Sequence, residues 1–159
     1  KSVFEQKRRP TASAYTVVNR YEPPKAGNPV YRKVQCNHCE EPSCAAACPV
    51  RAYTKTPEGA VLYNADVCFG CRYCMVACPY QARIFNEERG VAQKCWLCYK
   101  RVEKGVAPAC VVACPAGARY FGDLDDPTSL VSQLLKSPRA FHLLDELGTH
   151  PKVFYLREG

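Results

Sequence analysis

The sequence predicts an α+β fold of short repeated units, each a cysteine-bearing loop, a helical turn and a short strand, with a helical extension at the C-terminal end. Three observations predict it. Twelve cysteines occur among 159 residues. They fall into three groups that end alike. The apolar runs between them are too short to bury a conventional core, so bound metal has to supply much of the cohesion, as it does in other small domains.

The elements follow in order. Residues 1–30 carry no cysteine, are polar and basic, and contain Pro10, Pro23, Pro24 and Pro29. They read as an N-terminal arm with one strand at Thr16, Val17 and Val18 and the rest a loop or wrapping segment. The first group is Cys36, Cys39, Cys44 and Cys48, followed by Pro49; the second is Cys68, Cys71, Cys74 and Cys78, followed by Pro79. Together they define a unit over residues 31–90. The third group, Cys95, Cys98, Cys110 and Cys114, followed by Pro115, defines a second unit over 91–122. Ala47, Ala77 and Ala113 precede the final cysteines, and Ala52, Ala82 and Ala118 follow four residues after them. This is an internal repeat with a period of roughly thirty residues. The proline after each last cysteine ends a helical turn, because it fixes φ and removes a donor. Strands are expected at Tyr53, at Val61-Leu62-Tyr63, at Ile84-Phe85 and at Tyr120-Phe121.

Residues 123–159 form the tail. Asp126 is placed to cap a helix with Pro127 at its first position, running to about Lys136. Ser137 and Pro138 repeat the signal, and Gly148 is placed to end that second helix. Residues 152–156 read as a short strand. Leu130, Leu134 and Leu135 give an apolar stripe expected to pack on the body.

The spacing decides what the cysteines hold. The second group reads C-x-x-C-x-x-C-x-x-x-C-P. Three thiolates within seven residues let one loop take three corners of an iron–sulfur cube, and the fourth cysteine, on the next turn, ligates a neighbouring cluster. Structural zinc sites use two C-x-x-C pairs separated by a long loop, and the second group has no such gap. The third group alone could be a zinc ribbon, but its shared A-C-P ending ties it to the other two. Disulfides would leave the C-x-x-C steps and the three C-x-x-x-C-P endings without a purpose. The first group is a loosened form with two extra residues before Cys44, Pro42 lying among the residues of that longer loop; the third loosens further at Glu103–Pro108.

The formal charge is +7, which by itself suggests nucleic acid or an acidic membrane surface. A four-iron cluster with four thiolates contributes about −2, so three of them leave the holoprotein near +1. The basic excess therefore reads as compensation for buried anionic clusters rather than as a nucleic-acid footprint. No stretch approaches the ~20 apolar residues needed to span a bilayer, and no signal-peptide core is present.

Other residues are read more plainly. His38, inside the first C-x-x-C, reads as a partly exposed loop histidine, with a hydrogen bond to a cluster sulfur as the functional alternative. His142 and His150 read as surface residues. Trp96 reads as a shield for a cluster. Lys94, Lys100, Arg101 and Lys104 read as a solvated face or a docking patch for an acidic or heme-bearing partner. There is no phosphate-binding glycine loop, no H-E-x-x-H and no serine–histidine–acid pattern, so no catalytic residue is assigned. Clusters closed by thiolates favour outer-sphere electron transfer, with reduction chemistry on another subunit. A zinc-stabilised binding module is the alternative reading.

With these motifs laid out, the chain resembles the iron–sulfur subunits of the molybdopterin oxidoreductase family, of the polysulfide and dimethyl sulfoxide reductase type; similar subunits serve nickel–iron hydrogenases. The resemblance rests on Cys36-Asn-His-Cys39-Glu-Glu-Pro-Ser-Cys44, on Cys68-Phe-Gly-Cys71-Arg-Tyr-Cys74-Met-Val-Ala-Cys78-Pro-Tyr80, and on Cys110-Val-Val-Ala-Cys114-Pro-Ala-Gly-Ala118. It is supported by Phe121-Gly-Asp-Leu-Asp-Asp-Pro127 and Pro151-Lys-Val-Phe-Tyr-Leu156, and it covers roughly residues 31–156.

The resemblance implies ferredoxin-like dicluster units with crossed ligation. Cys36, Cys39 and Cys44 would share a [4Fe-4S] cluster with Cys78, and Cys68, Cys71 and Cys74 would share one with Cys48. It also implies a further cysteine group before the first, which this chain lacks; Lys1-Ser-Val-Phe4 resembles the segment that follows such a group, so the chain is expected to be N-terminally incomplete. Cys95, Cys98 and Cys110 would then bind a third cluster whose fourth ligand lies elsewhere or is lost, leaving a [3Fe-4S] centre, with Cys114 serving another cluster; alternatively Cys114 closes the third cluster itself. The implied partners are a catalytic subunit of molybdopterin or hydrogenase type and a membrane-anchor or heme subunit serving quinone, with attachment to the membrane through those partners, on the periplasmic face.

Overall fold

The computed structural model describes residues 8–22 and 27–157. Lys1–Phe4, Pro23 and Pro24, on which expectations above rest, lie outside the described residues.

The fold is α+β, as expected, and its strands form four separate antiparallel hairpins. β1 (Val17–Tyr21) pairs with β2 (Val30–Val34), Asn19 standing opposite Arg32. The strand expected at Thr16–Val18 is thus one arm of a hairpin whose second arm the sequence pattern does not announce. The proline-rich connection between the two arms hides the pairing, because prolines mark loops and say nothing about what the loop joins. β3 (Tyr53–Lys55) pairs with β4 (Val61–Tyr63), and β5 (Ile84–Asn86) with β6 (Val91–Gln93). Glycines in the left-handed region make both turns possible: Gly59 at φ 83° and Gly90 at φ 64°.

A helical turn carrying cysteine precedes each of these two hairpins: α1 (Ser43–Ala46) holds Cys44 and α2 (Tyr73–Ala77) holds Cys74. The repeat extends to the backbone. Three residues after each final cysteine the chain turns left-handed, at Arg51 (φ 50°), Gln81 (φ 51°) and Gly117 (φ 59°). Each of these donates its N–H to the carbonyl of that cysteine, at 3.1, 3.2 and 3.1 Å. Only the third uses glycine, where the left-handed conformation is free of side-chain strain.

Around the third cysteine group α3 (Tyr99–Val102) and α4 (Ala109–Val112) flank the Glu103–Pro108 loop. Here an expectation fails: Tyr120 and Phe121 form no strand, and they stand 52% and 40% exposed. The corresponding strands after the first two groups each pair with a second strand before the next cysteine group. After Phe121 the chain runs instead into the turns of 123–129.

The tail differs from its expected form as well. The helix α5 spans only Leu130–Leu135 and is capped by Ser129, whose hydroxyl accepts from the Ser132 N–H at 3.2 Å. Asp126 instead closes the preceding turn by accepting from the Thr128 N–H at 2.8 Å. No second helix follows. β7 (Ala140–Phe141) pairs with β8 (Tyr155–Leu156), and only a 3-10 turn occupies Asp145–Leu147, ended by Gly148 in the left-handed region. Cross-strand pairing takes the residues that a helix would have needed. Leu134 and Leu135 are half-buried, while Leu130 is exposed.

Cysteine and alanine make the central cluster of the core, Cys36, Cys44, Cys74, Cys78, Ala82 and Ala92, and Val61, Tyr63, Ile84 and Val91 of the hairpins are buried as well. The tail straps this centre. Glu40 and Glu41 donate their N–H groups to the carbonyls of His150 and Thr149, and Lys152 donates to that of Asn37. The Glu40 carboxylate pairs with Lys55 and, at 2.9 Å, with Lys152. These two lysines hold its pKa down at about 2.

Candidate metal centres

None of the twelve cysteines forms a disulfide. Among the described residues no three Cys, His, Asp or Glu side chains converge as closely as a single metal ion requires. Cysteines instead surround two cavities. One is lined by Cys36, Cys39, Cys44 and Cys78 together with Pro42, Tyr80 and Arg83. The other is lined by Cys68, Cys71, Cys74 and Cys48 together with Phe69, Tyr53 and Tyr63. Three cysteines of one group thus meet the last cysteine of the other, in both directions.

The local sequence explains the exchange. α1 packs against α2, and the Ser43 hydroxyl donates to the Ala77 carbonyl at 2.9 Å. Each helical turn ends at its own last cysteine, so side-by-side turns deliver Cys48 and Cys78 toward each other's loops. The loops themselves need tight backbone. Gly70 sits at φ 78°, and a Cβ there would collide with the Gly90 carbonyl oxygen, so the loop between Cys68 and Cys71 closes only with glycine.

Backbone amides serve the final cysteines in all three groups. Ala52 donates its N–H to Cys48 Sγ at 3.3 Å. The amides of Ala82 and Tyr80 act on Cys78, and those of Ala118, Ala116 and Gly117 act on Cys114. The alanine repeated four residues after each last cysteine is therefore the position whose N–H faces that sulfur. A small residue is needed where the chain passes this close, and Ala52 and Ala82 are accordingly buried.

Burial pushes Cys39 up to about 11 and raises the thiols of Cys74, Cys78 and Cys95. Thiolates in such places require a positive centre to compensate them, which bound iron supplies. Cys36 is different. Burial acts against its ionisation too, but the neighbouring His38 and the cations Lys94 and Arg83 pull its pKa well below the usual thiol value.

Sequence patterns alone do not reveal what these three residues do. Arg83 donates to Cys44 Sγ at 2.5 Å and to Cys36 Sγ at 3.6 Å, and it lies 5.1 Å from the Tyr53 ring centroid. Burial opposes its charge, but the thiolates of Cys36 and Cys44 hold its pKa above the ordinary value. Its Nε has no protein partner. Lys94, expected on an exposed basic face, is 1% exposed and donates to the carbonyls of Val61 and Cys95. His38, expected to be partly exposed, is 2% exposed; its Nδ1 accepts from the Val61 N–H at 3.0 Å, and its Nε2 is buried without a partner. A charged residue in an otherwise apolar strand, as in Ala82-Arg83-Ile84-Phe85, is the signal that could have found the first of them. Trp96 is 42% exposed and meets the edge of Tyr63, which lines the second cavity.

The third group lines neither cavity. Cys95, Cys98, Cys110 and Cys114 are all half-buried. Leu97 and Cys98 are both left-handed, which turns the C-x-x-C loop sharply. Lys33 reaches from β2 to donate to Cys110 Sγ at 2.9 Å. Around the group Val106, Val112, Tyr120 and Phe121 are exposed. Lys100, Arg101 and Lys104 are exposed, as the sequence suggested, and so is His150, whereas His142 is half-buried.

The model of the 4Fe-4S dicluster domain family matches residues 28–124. The chain is 42% identical over 153 residues to a tetrathionate reductase subunit of Salmonella typhimurium, an alignment covering 92% of this chain and 61% of that protein. It is 45% identical over 128 residues to a sulfite dehydrogenase subunit of Allochromatium vinosum, covering 76% of this chain and 53% of that one. It is 37% identical over 175 residues to the arsenate respiratory reductase iron-sulfur subunit of a Shewanella species, covering 80% and 75%. The chain spans no more than 61% of the length of the tetrathionate and sulfite relatives.

Proposed function

The chain belongs to the 4Fe-4S dicluster domain family, and from that premise we propose that it relays single electrons through [4Fe-4S] clusters as the iron–sulfur subunit of a larger oxidoreductase. The observation that carries this reading is the pair of cavities lined by three cysteines of one group and the last of the other. Bound clusters would supply reversible one-electron storage without proton transfer or substrate binding. The residues do the rest. Cys36, Cys39, Cys44 and Cys78 would hold one cluster, and Cys68, Cys71, Cys74 and Cys48 the other. Ala52 and Ala82 direct amides at the crossing cysteines, and the hairpins and the tail keep water from the first.

A third cluster would rest on Cys95, Cys98 and Cys110, with Cys114 serving a neighbouring centre or closing this one. That none of these cysteines is fully buried, with exposed apolar residues around them, supports a site completed from outside the described residues, or a [3Fe-4S] centre. On this reading residues 31–90 are the closed dicluster unit, 91–122 a second and incomplete unit, 1–30 an arm and 123–159 the strapping tail. The partners would be a catalytic subunit of molybdopterin or hydrogenase type and a membrane-anchor or heme subunit. No helix among the described residues is long and apolar enough to cross a membrane, so membrane association, on the periplasmic face, would come through such a partner.

The test is direct. The purified protein is expected to be brown, with broad absorbance at about 400 nm that bleaches on reduction, and to contain roughly four iron and four acid-labile sulfide per cluster. A colourless protein that binds zinc stoichiometrically would support the zinc-stabilised binding module instead.

A further inference from the structure

The two cavities differ in their charge. Arg83 lines the Cys36 cavity, touches the sulfurs of Cys36 and Cys44, and is 7% exposed. None of the ion pairs among the described residues involves it. Its guanidinium cannot be deprotonated in a protein, so this charge is fixed and has the cysteine sulfurs as its counterpart. The second cavity also has an arginine on its wall, Arg72. That side chain is half-exposed, pairs with Glu87 at 2.9 Å and lies over the Phe85 ring at 3.6 Å. A neutralised, solvated charge acts weakly at a distance; a buried and unneutralised one acts strongly.

We infer that Arg83 sets the order of reduction within the pair, making the cluster held by Cys36, Cys39, Cys44 and Cys78 the more easily reduced of the two. The inference rests on the electron-relay reading above. One-electron reduction adds a negative charge to the cluster and changes nothing else in the balance: the electron arrives from the redox partner, no bond breaks, and no proton is taken up. A fixed cation against two of the ligating sulfurs stabilises the reduced form more than the oxidised one, which raises the reduction potential. Arg83 is thus a tuning residue, acting on the centre through its sulfurs. Its Nε, buried and without a protein partner, is a further donor left available in that wall. An electron shared between the two clusters therefore rests mainly on the one beside Arg83.

The experiment is a redox titration of the complete, cluster-loaded protein followed by electron paramagnetic resonance. It compares Arg83→Gln, Arg83→Lys and Arg72→Gln with the unaltered chain, with iron and sulfide measured on each sample. Cys39→Ser, which changes the ligand set of the same cluster, marks the signal to follow. In the unaltered chain that signal is expected to titrate at the higher potential of the pair. Arg83→Gln should lower the equilibrium constant for its reduction about tenfold, a midpoint about 59 mV more negative, and shift the other signal less, since Arg83 lies 5.1 Å from the ring of Tyr53 on the second cavity's wall. Arg83→Lys, which keeps the charge, should retain most of the potential and serves as the readable variant if Arg83→Gln fails to hold its clusters. Arg72→Gln should move neither midpoint. An unchanged midpoint in Arg83→Gln, an equal shift of both signals, or an Arg83→Lys variant that loses as much as one without charge would overturn the inference. Iron content separates the two levels: absence of clusters in the unaltered chain contradicts the relay reading, whereas full clusters with unmoved midpoints contradict only the role of Arg83.

Discussion

Residues 36–93 and residues 95–121 are built from the same cysteine motif and end in different states. In the first region two copies face each other. Their helical turns pack side by side, their last cysteines cross, and each copy's strand finds a partner strand. Five of the eight cysteines there are buried. In the second region the left-handed turn after the last cysteine forms just as it does in the first two groups, and its amides reach Cys114 in the same way. Yet none of its four cysteines is fully buried, and Val112 is 67% exposed. The comparison teaches that the motif codes for a turn, while closure of the site is a property of two motifs packed together. The local part needs only alanine, proline and a residue that tolerates positive φ. The closed part needs a second copy.

Removing iron breaks the comparison most severely. Since the buried centre of 36–93 is cysteine and alanine, chelation should abolish amide protection across β3 to β6, read by hydrogen exchange. The hairpin β1–β2, which is held by its own register, should lose much less. Equal loss in both would show that the clusters are not what the first region folds around.

Gly70→Ala comes next. Left-handed strain alone costs about 1–2 kcal/mol, and the collision with the Gly90 carbonyl adds to it. The expected result is a drop in denaturant midpoint with iron lost from the Cys68, Cys71, Cys74 and Cys48 site. Gly105→Ala, in the third region's loop and with open space around its Cβ, carries the strain without the collision, so iron content should hold.

Ser43→Ala sharpens the comparison on a smaller scale. It removes the hydrogen bond that ties α1 to the end of α2, worth about 1 kcal/mol, and should lower thermal stability without altering iron content. Glu40→Gln should have the smallest effect. It weakens the exposed pairs to Lys55 and Lys152, so exchange at the Lys152 amide should quicken while the clusters stay in place.

What the sequence made legible follows the same division. The three cysteine groups, their proline stops, the recurring alanines and the strands at Tyr53, Val61 and Ile84 are local signals, and the structure contains each of those strands. The β1–β2 and β7–β8 pairings are not legible, because both are joined by segments whose prolines and glycines advertise a break and nothing more. Tyr120 and Phe121 read as strand residues from their β-propensity, but a strand needs a neighbour, and propensity does not supply one. Arg83, Lys94 and His38 escape sequence reasoning for a physical reason. A charged side chain is read as exposed because burial costs it its hydration, and the thiolates that offset that cost count as neutral in a composition. The Asp126 cap is displaced by three residues because Asp126 and Ser129 both fit the chemistry of a cap, and only the turn between them decides which is used.

The crossing of the last cysteines is the claim on which both the fold and the function rest. It is tested most directly by iron and sulfide analysis with paramagnetic resonance on Cys48→Ser and Cys78→Ser in the complete, cluster-loaded chain. The structure predicts that Cys48→Ser alters the same signal as Cys71→Ser, and that Cys78→Ser alters the same signal as Cys39→Ser. If Cys48→Ser instead alters the Cys39 signal and Cys78→Ser the Cys71 signal, each group closes its own cluster and the account of the two facing motifs is wrong.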